Sequence, residues 1–212
     1  MSKSAGTPFI VSAPSGTGKT SLVRALLGAL SDLELSTSHT TRAPRPGEVD
    51  GTHYHFVDQS AFEALVAADD MLEYANVYGN LYGTSRAFVN QRLAFGADII
   101  LEIDWQGARI ARERLAGSVC IMIAPPSLEA LSSRLMARGQ DSEAVVARRL
   151  AAASEELAHF TEFDYLIVNN HFETALDELR TIVKAQRLSM ARQQQHHTDL
   201  LTSLTRGLIP HK

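Results

Sequence analysis

The chain has 212 residues, of which 45% are hydrophobic and 21% charged, and its formal net charge is −4 at pH 7. These values are typical of a soluble globular protein with one domain, or one domain with an inserted lobe, and they argue against a broadly basic nucleic-acid-binding protein. Because it has no apolar run near the ~18 residues of a membrane helix, no apolar signal peptide and a single cysteine, we predict a cytoplasmic protein without an intramolecular disulfide.

A turn rich in small residues near the N-terminus separates a strand pattern from a helix pattern. Phe9 to Val11 predicts a buried strand, and apolar residues at helical spacing predict a helix from Lys19 to about Leu30. This order is the P-loop layout, in which backbone N–H groups at the start of a helix bind phosphate. Lys19 supplies a cation for the outer phosphates, and Thr20 supplies a hydroxyl for Mg²⁺.

The P-loop pattern departs from its usual form at Ala13, where most examples have Gly. Alanine fits this position if its φ is negative. The alternative is a Gly/Ser surface turn, and the flanking strand and helix favour phosphate binding. The predicted phosphate-binding residues are Ala13, Pro14, Ser15, Gly16, Thr17, Gly18, Lys19 and Thr20.

Two arginines flank a proline in the loop that follows. Leu35 to Ser38 predicts a strand, and Gly51 to Val57 predicts another by its alternation. Between them, Pro44 and Pro46 stiffen the loop, so that Arg42 and Arg45 are held at a fixed separation. The loop is either an anion-binding element or a solvated basic loop.

A hairpin is predicted from Met71 to Arg86, with a tight turn at Gly79-Asn80. Glu73 lies in an aromatic-rich part of this hairpin. It is either a partly buried acid with a partner or an exposed carboxylate at a strand edge.

A second apolar strand, predicted from Asp98 to Asp104, ends in acidic residues. In P-loop proteins such a strand carries the carboxylate that coordinates Mg²⁺ directly or through water. Glu102 and Asp104 are two residues apart, which on a strand places both on one side.

Arginines recur in two helices that follow the next apolar strand, Ser118 to Ala124. Arg134 and Arg138 are four residues apart and so share a helix face, and Arg148-Arg149 lies in a helix predicted from Glu143 to Phe160. The helix pair is either a lid that closes on phosphates or a solvated charged surface.

The last strand is predicted at Tyr165 to Val168, and Asn169 follows at its C-terminal end, where ligands bind in open α/β sheets. A long helix from about Phe172 to Gln194 comes next. The pattern as a whole predicts an α/β fold with a mostly parallel sheet, an inserted small lobe and a helical lid.

Several of these motifs occur together in one family, and over nearly its whole length the chain resembles a guanylate kinase. The Arg-rich loop and the Tyr-Gly-Thr segment are specific to that family, whereas the P-loop alone is not. The segments that carry the resemblance are Ser12–Ser21, Ser38–Glu48, Gly51–Phe56, Tyr78–Thr84 and Leu101–Gly107.

The resemblance implies a P-loop NTPase-type parallel sheet core, a small α+β lobe that binds the nucleoside monophosphate (NMP), and a helical lid, all in a single unit. The implied boundaries are about 8–34, 96–126 and 160–195 for the core, 35–95 for the NMP-binding lobe, 127–159 for the lid and 196–212 for a C-terminal tail.

The resemblance also implies roles for individual residues. The GMP phosphate would be held by Arg42, Arg45, Tyr54 and Tyr82, and guanine would be read by Ser38, Glu73 and Thr84. Asp104 would lie by GMP, and Thr20 with Glu102 would hold the metal. Asn169 would contact adenine, and the implied catalytic residues are Lys19, Arg42, Arg134, Arg138 and Arg149.

The implied reaction is transfer of the γ-phosphoryl group of ATP to GMP with Mg²⁺, in purine nucleotide recycling. The implied partners are ATP and GMP, with dGMP as a further acceptor, and the chain is a monomer or homo-oligomer with no nucleic-acid or membrane partner.

Three alternatives compete with this interpretation. A kinase for AMP or dTMP is disfavoured by Glu73 together with Ser38 and Thr84. A non-catalytic peptide-binding module is disfavoured by the intact Gly18-Lys19-Thr20, and a lone P-loop switch would leave the Arg42 loop and the lid arginines without a role.

Overall fold

The computed structural model describes residues 5–77, 79–137 and 142–206, and its centre is a five-stranded sheet. Its strands are β1 (Pro8–Ser12), β2 (Leu33–Leu35), β7 (Asp98–Glu102), β8 (Val119–Ala124) and β9 (Tyr165–Val168). They lie in the spatial order β2-β7-β1-β8-β9, and all neighbouring strands run parallel.

Helices cover the parallel sheet and extend beyond it. They are α1 (Lys19–Ala29), α2 (Gln59–Ala67), α3 (Arg86–Ala94), α4 (Trp105–Arg114), α5 (Leu128–Ala137), α6 (Glu143–Ala158), α7 (Phe172–Arg187), α8 (Met190–His196) and α9 (Thr198–Thr205). Within the described ranges, none of these helices is both long and apolar enough to cross a membrane.

Strand β1 shows why a continuous apolar run forms the centre of the sheet. Phe9 and Val11 pack into a cluster with residues of α1 and α7, whereas Ile10 packs into a second cluster on the other face, with residues of α3 and α4. Because side chains alternate along a strand, a strand covered on both faces must be apolar at every position.

A second, four-stranded sheet lies within residues 39–85. Its strands are β3 (His39–Thr40), β4 (His55–Phe56), β5 (Met71–Val77) and β6 (Asn80–Ser85). They lie in the order β4-β3-β6-β5, and the sheet is mixed, since β3 pairs parallel with β4 and antiparallel with β6.

Helices α5 and α6 pack against each other through a small apolar cluster of Leu131, Leu135, Val146 and Ala153. The C-terminal end of α6 is fixed to the core, because the ring of His159 stacks on Trp105 with ring centroids 3.6 Å apart. The Glu162 carboxylate joins the arrangement by accepting hydrogen bonds from Arg109 and contacting Nδ1 of His159 at 2.7 Å.

Three predicted strands were wrong in their limits. The strand expected at Leu35 to Ser38 is replaced by β2, which ends at Leu35, because the chain then crosses to the second sheet. The strand expected at Gly51 to Val57 is reduced to β4, because Gly51 has a φ of 73° and its N–H donates to Tyr54 O at 2.8 Å, which closes a loop. The strand expected to end at Asp104 ends at Glu102.

Two predictions about helices were also wrong. The sequence predicts a helix from Ala61 to Ala68 with Ser60 as its cap, but helix α2 begins at Gln59 and is capped by Asp58, whose side chain accepts a hydrogen bond from Ala61 N at 2.7 Å. The helix expected to run from Phe172 to Gln194 ends at Arg187, and a separate helix, α8, begins at Met190.

A buried carboxylate, Asp98, explains why the C-terminal helices turn back to the sheet. Asp98 is fully buried, and it accepts hydrogen bonds from Arg187 Nε at 2.8 Å and from Arg192. It also accepts a hydrogen bond from Thr7 N at 2.8 Å. The break after α7 allows Arg192 on α8 to reach the same carboxylate as Arg187.

We expect Asp98→Asn to lower the free energy of unfolding by about 3 kcal/mol, because breaking a buried ion pair leaves its partners uncompensated. This value is at the low end of the range for breaking a buried ion pair, because the Arg187 and Arg192 side chains are 25% and 16% exposed and water can partly solvate them after the change. Urea unfolding followed by circular dichroism measures the change. Asp177→Asn is the control, since that carboxylate is 63% exposed in its pair with Arg180, and equal effects of the two variants would contradict the role of Asp98.

Candidate active site

The turn between β1 and α1 has the shape that phosphate binding requires. Gly16 and Gly18 adopt φ values of 92° and 96°, in the region that favours glycine. A Cβ atom on Gly18 would lie 2.8 Å from Nδ2 of Asn169, so space also demands glycine there. Ala13 is buried and is not among the described residues with positive φ, so alanine fits the first position of the turn.

Asn169, the residue that follows β9, stabilises this turn through hydrogen bonds. Its Nδ2 donates to Thr17 O at 2.7 Å, and its backbone oxygen accepts a hydrogen bond from Arg134 Nη2 at 2.9 Å. The Thr17 hydroxyl in turn donates to Pro14 O. The contact of Asn169 with adenine stays a prediction, and the structure adds that its amide nitrogen supports the P-loop.

Lys19 and Thr20 begin α1 beside the end of β7. The Lys19 Nζ donates to Ile103 O at 3.2 Å, and the Thr20 hydroxyl donates to the Glu102 carboxylate. Burial lowers the pKa of Lys19, while the charges of Glu102, Glu156 and Asp104 oppose that shift. The side chain of Lys19 therefore lies close to three carboxylates.

The pairing of Thr20 with Glu102 fits a magnesium ion bound together with a nucleotide. A hydroxyl and one carboxylate are hard oxygen donors, and Mg²⁺ takes most of its remaining ligands from phosphates and water. Residues 5–77, 79–137 and 142–206 contain no group of three or more His, Cys, Asp or Glu side chains placed to hold a metal ion.

A cleft of about 520 Å³, here called the P-loop cleft, runs between the P-loop and α6. That volume lies within the range of small-molecule binding sites. Arg148, Ala152 and Glu156 are spaced by four residues and so present one face of α6 to the cleft, and Arg149 lines it as well. Burial raises the pKa of Glu156 to about 7, an effect that the nearby Lys19 opposes.

The Arg-rich loop is held by Glu48. Arg42 Nη2 is 2.8 Å from the Glu48 carboxylate, and Arg45 N donates to the other carboxylate oxygen at 2.7 Å. The Arg42 guanidinium lies 5.5 Å from the ring centroid of Tyr54, and Tyr54 meets Tyr82 edge-on. These contacts assemble Arg42, Tyr54 and Tyr82 in one group, while the Arg45 side chain is exposed.

Glu73 is a buried acid with a partner. Only 6% of the residue is exposed, and its carboxylate accepts a hydrogen bond from the Thr84 hydroxyl at 2.6 Å. Burial raises the pKa of Glu73 to about 7. It lines a cavity of about 160 Å³, here called the acidic pocket, whose other lining residues include Ser38, Tyr54, Tyr82, Glu102 and Asp104.

Asp104 connects the P-loop cleft with the acidic pocket, because it lines both. It is the N-cap of α4 and accepts a hydrogen bond from Gly107 N at 2.7 Å. A Cβ atom on Gly107 would lie 3.0 Å from Glu73 and 3.3 Å from Asp104, so glycine allows the two acids to approach the same helix turn. The two cavities therefore meet at Asp104, close to Lys19.

Most of the residues predicted from the sequence converge on this joined site. Arg134 lies beside Asn169, and Arg149 lines the P-loop cleft. Arg138, the remaining predicted catalytic arginine, lies outside the described residues, as does Tyr78 of the hairpin.

Two acidic residues of the site, Glu48 and Glu156, were not predicted from the sequence. The spacing of Glu156 from Arg148 and Ala152 would have placed it on the same helix face. Glu48 follows Arg45 by three residues, a separation at which a loop side chain can reach back to a backbone N–H.

Comparison with known proteins finds relatives that cover most of the chain. A sequence model described as guanylate kinase matches residues 5–186. Guanylate kinases of Salmonella typhimurium strain LT2 and Escherichia coli strain K12 are each 53% identical over 201 residues, covering 94% of this chain and 97% of theirs. The crystal structure of guanylate kinase from Anaplasma phagocytophilum matches with a TM-score of 0.74 and 34% identity, covering 95% of this chain and 96% of that one.

Proposed function

The chain belongs to the guanylate kinase family and is an ATP-dependent phosphotransferase that converts GMP to GDP, and we propose that its two joined cavities hold the two nucleotides of this reaction. The proposal rests on one observation above all, that Asp104 lines both the P-loop cleft and the acidic pocket. Two substrates bound in these cavities would meet where Lys19 lies.

In this proposal the P-loop cleft binds the phosphates of ATP. The open N–H groups at the start of α1 and the ammonium of Lys19 bind the β- and γ-phosphates. Arg148 and Arg149 face the same cleft from α6, so α5 and α6 would act as the lid of the enzyme. Thr20 and Glu102 would hold Mg²⁺, directly or through water, and the ion would neutralise charge on the phosphates.

The acidic pocket would bind the guanine base of GMP. The Glu73 carboxylate can accept hydrogen bonds from guanine N1–H and from the 2-amino group, whereas adenine offers no such pair of donors. Thr84 already donates to Glu73 and would orient it, and Ser38 lines the same pocket. Arg42, Arg45, Tyr54 and Tyr82 would bind the phosphate.

The chemistry follows from the charges of the substrates. ATP and GMP are anions whose reacting phosphates repel each other, so catalysis depends on cations, N–H donors and alignment rather than on a covalent enzyme intermediate. An oxygen of the GMP phosphate attacks the γ-phosphorus of ATP, and ADP leaves. Closure of the lid would exclude water, which would otherwise take the phosphoryl group.

The division of the chain that we propose follows these roles. Residues 35–95 form the NMP-binding lobe and residues 127–159 form the lid, while the core consists of about 8–34, 96–126 and 160–195. We further propose dGMP as an acceptor, since none of the residues assigned here reads the ribose 2′-hydroxyl. The cytoplasmic location expected from the sequence also stays a prediction.

The decisive experiment for substrate choice measures ADP formation from ATP and Mg²⁺ with GMP, dGMP, AMP, CMP, UMP or dTMP as separate acceptors. We expect rapid turnover with GMP and dGMP and little with the others. Comparable turnover with AMP would overturn the role of Glu73 in reading the base. A protein without acceptor-dependent turnover would instead be a binding module.

A further inference from the structure

Glu48 contacts both arginines of the loop proposed to bind the GMP phosphate. One carboxylate oxygen accepts a hydrogen bond from Arg42 Nη2 at 2.8 Å, and the other accepts one from Arg45 N at 2.7 Å. The backbone adds a third contact, from Glu48 N to Arg45 O at 3.0 Å. One side chain therefore closes the segment from Arg42 to Glu48 into a ring.

The ring also fixes the plane of the Arg42 guanidinium. Arg42 Nη1 donates to Ala43 O at 2.7 Å, and the guanidinium lies over the rings of Tyr54 and Phe56 at 5.5 and 5.7 Å from their centroids. A guanidinium has five N–H donors, so these two hydrogen bonds leave others for a ligand phosphate. Arg42 can hold Glu48 and a phosphate at the same time.

Glu48 stays ionised throughout the pH range in which an assay is possible. Its hydrogen bonds from Arg42 and then from Arg45 lower the pKa of the carboxyl to about 2. The interaction with Arg42 is therefore a charge-assisted hydrogen bond, which is stronger than a neutral one.

We propose that Glu48 is a positioning residue for the acceptor phosphate, acting through the side chain of Arg42 and the backbone of Arg45. This inference rests on the proposed function, because it assumes that this loop binds the phosphate of GMP. Glu48 makes no contact with guanine in this proposal. It acts by holding the loop in its binding conformation before GMP arrives, which removes an ordering cost from binding.

The variant Glu48→Gln tests the proposal, because an amide can accept through only one atom and presents N–H donors to Arg42 or to Arg45 N. We expect the KM for GMP to rise about tenfold, while the KM for ATP changes by less than about twofold. Glu63→Gln is the matched control. It lies in the same proposed lobe on α2, is exposed, and contacts only Gln59 among the described side-chain hydrogen bonds.

Guanosine separates positioning of the phosphate from general damage to the lobe, since it carries the base without the phosphate. Measured as a competitive inhibitor against GMP, guanosine should keep its Ki within about twofold in Glu48→Gln. A parallel loss of guanosine and GMP affinity would show that Glu48 only supports the fold of the lobe. Tighter GMP binding in the variant would show that the carboxylate repels the phosphate, and either result overturns the proposal.

A double-mutant cycle with Arg42→Ala tests the route of the effect. If Glu48 acts through Arg42, then Glu48→Gln should reduce kcat/KM for GMP by a smaller factor in the Arg42→Ala background than in the wild type. Equal factors in both backgrounds would contradict it. If the wild type itself fails to phosphorylate GMP, the proposed function is wrong; if it succeeds and Glu48→Gln leaves the KM for GMP unchanged, only this inference is wrong.

Discussion

Lys19→Ala should reduce kcat by about 10²–10³-fold while the protein stays folded. Removing one preorganised donor from a reacting anion has an effect of this size, and Lys19 lines the P-loop cleft together with Asp104, the residue that the two cavities share. The fold should survive, because the variant loses one hydrogen bond, to Ile103 O at 3.2 Å, and alanine is favourable in a helix.

The measurement is steady-state ADP formation with GMP, accompanied by thermal unfolding of each variant. Lys184→Ala is the matched control, since Lys184 is an exposed lysine on α7. Lys19→Met, which keeps most of the side-chain volume, should be as inactive as Lys19→Ala. A Lys19 variant that retains more than about a tenth of wild-type kcat would refute the assignment of this lysine to the transferring phosphoryl group.

Glu73→Gln should raise the KM for GMP by about 10–150-fold and leave the KM for ATP nearly unchanged. The estimate corresponds to the ~1.5–3 kcal/mol of a hydrogen bond to a charged group. The side chain keeps its size and can still accept the Thr84 hydroxyl, but its amide nitrogen would face the donors of guanine. Equal changes in both KM values would refute the base-reading role, and exposed Glu113→Gln serves as the control.

Because the pKa of Glu73 is raised, we also expect kcat/KM for GMP to depend on pH. With a pKa of about 7 in the free protein, the carboxyl is largely protonated at pH 6 and ionised at pH 8, and only the ionised form accepts two hydrogen bonds from guanine. At saturating ATP, kcat/KM for GMP should therefore rise from pH 6 to pH 8, and Glu73→Gln should flatten this rise. Glu156 has a similar pKa but faces the P-loop cleft, so saturating ATP limits its contribution.

Stability measurements distinguish lost binding from lost folding in the Glu73→Gln variant. The pKa of Glu73 is higher in the folded protein than its ordinary value of 4.5, so its contribution to stability is fully present below pH 4.5 and is lost as the pH rises through about 7. Gln cannot ionise, so the variant should be at least as stable as the wild type at pH 8. A less stable variant at that pH would mean that Glu73 stabilises the folded protein, and the rise in the KM for GMP would then reflect lost folding rather than lost contacts with guanine.

The elements that the sequence determined by itself are those built from short-range patterns. The apolar run at Phe9 to Val11, the glycines at 16 and 18 and the helix that begins at Lys19 all lie where the pattern predicted them. Alternating burial, positive φ and helix initiation each depend on neighbours a few residues away. The family motifs extended this local information to the identity of the two substrates.

The tertiary structure alone decided how distant segments complete the site. Asp98 binds both Arg187 at the end of α7 and Arg192 on α8, which are about ninety residues away in the chain. Asn169 donates a hydrogen bond to Thr17, 152 residues away in the chain, and Glu156 lines the P-loop cleft because α6 packs beside the P-loop. Such contacts depend on the order of strands in the sheet and on helix packing, which the periodicity of a single segment does not encode.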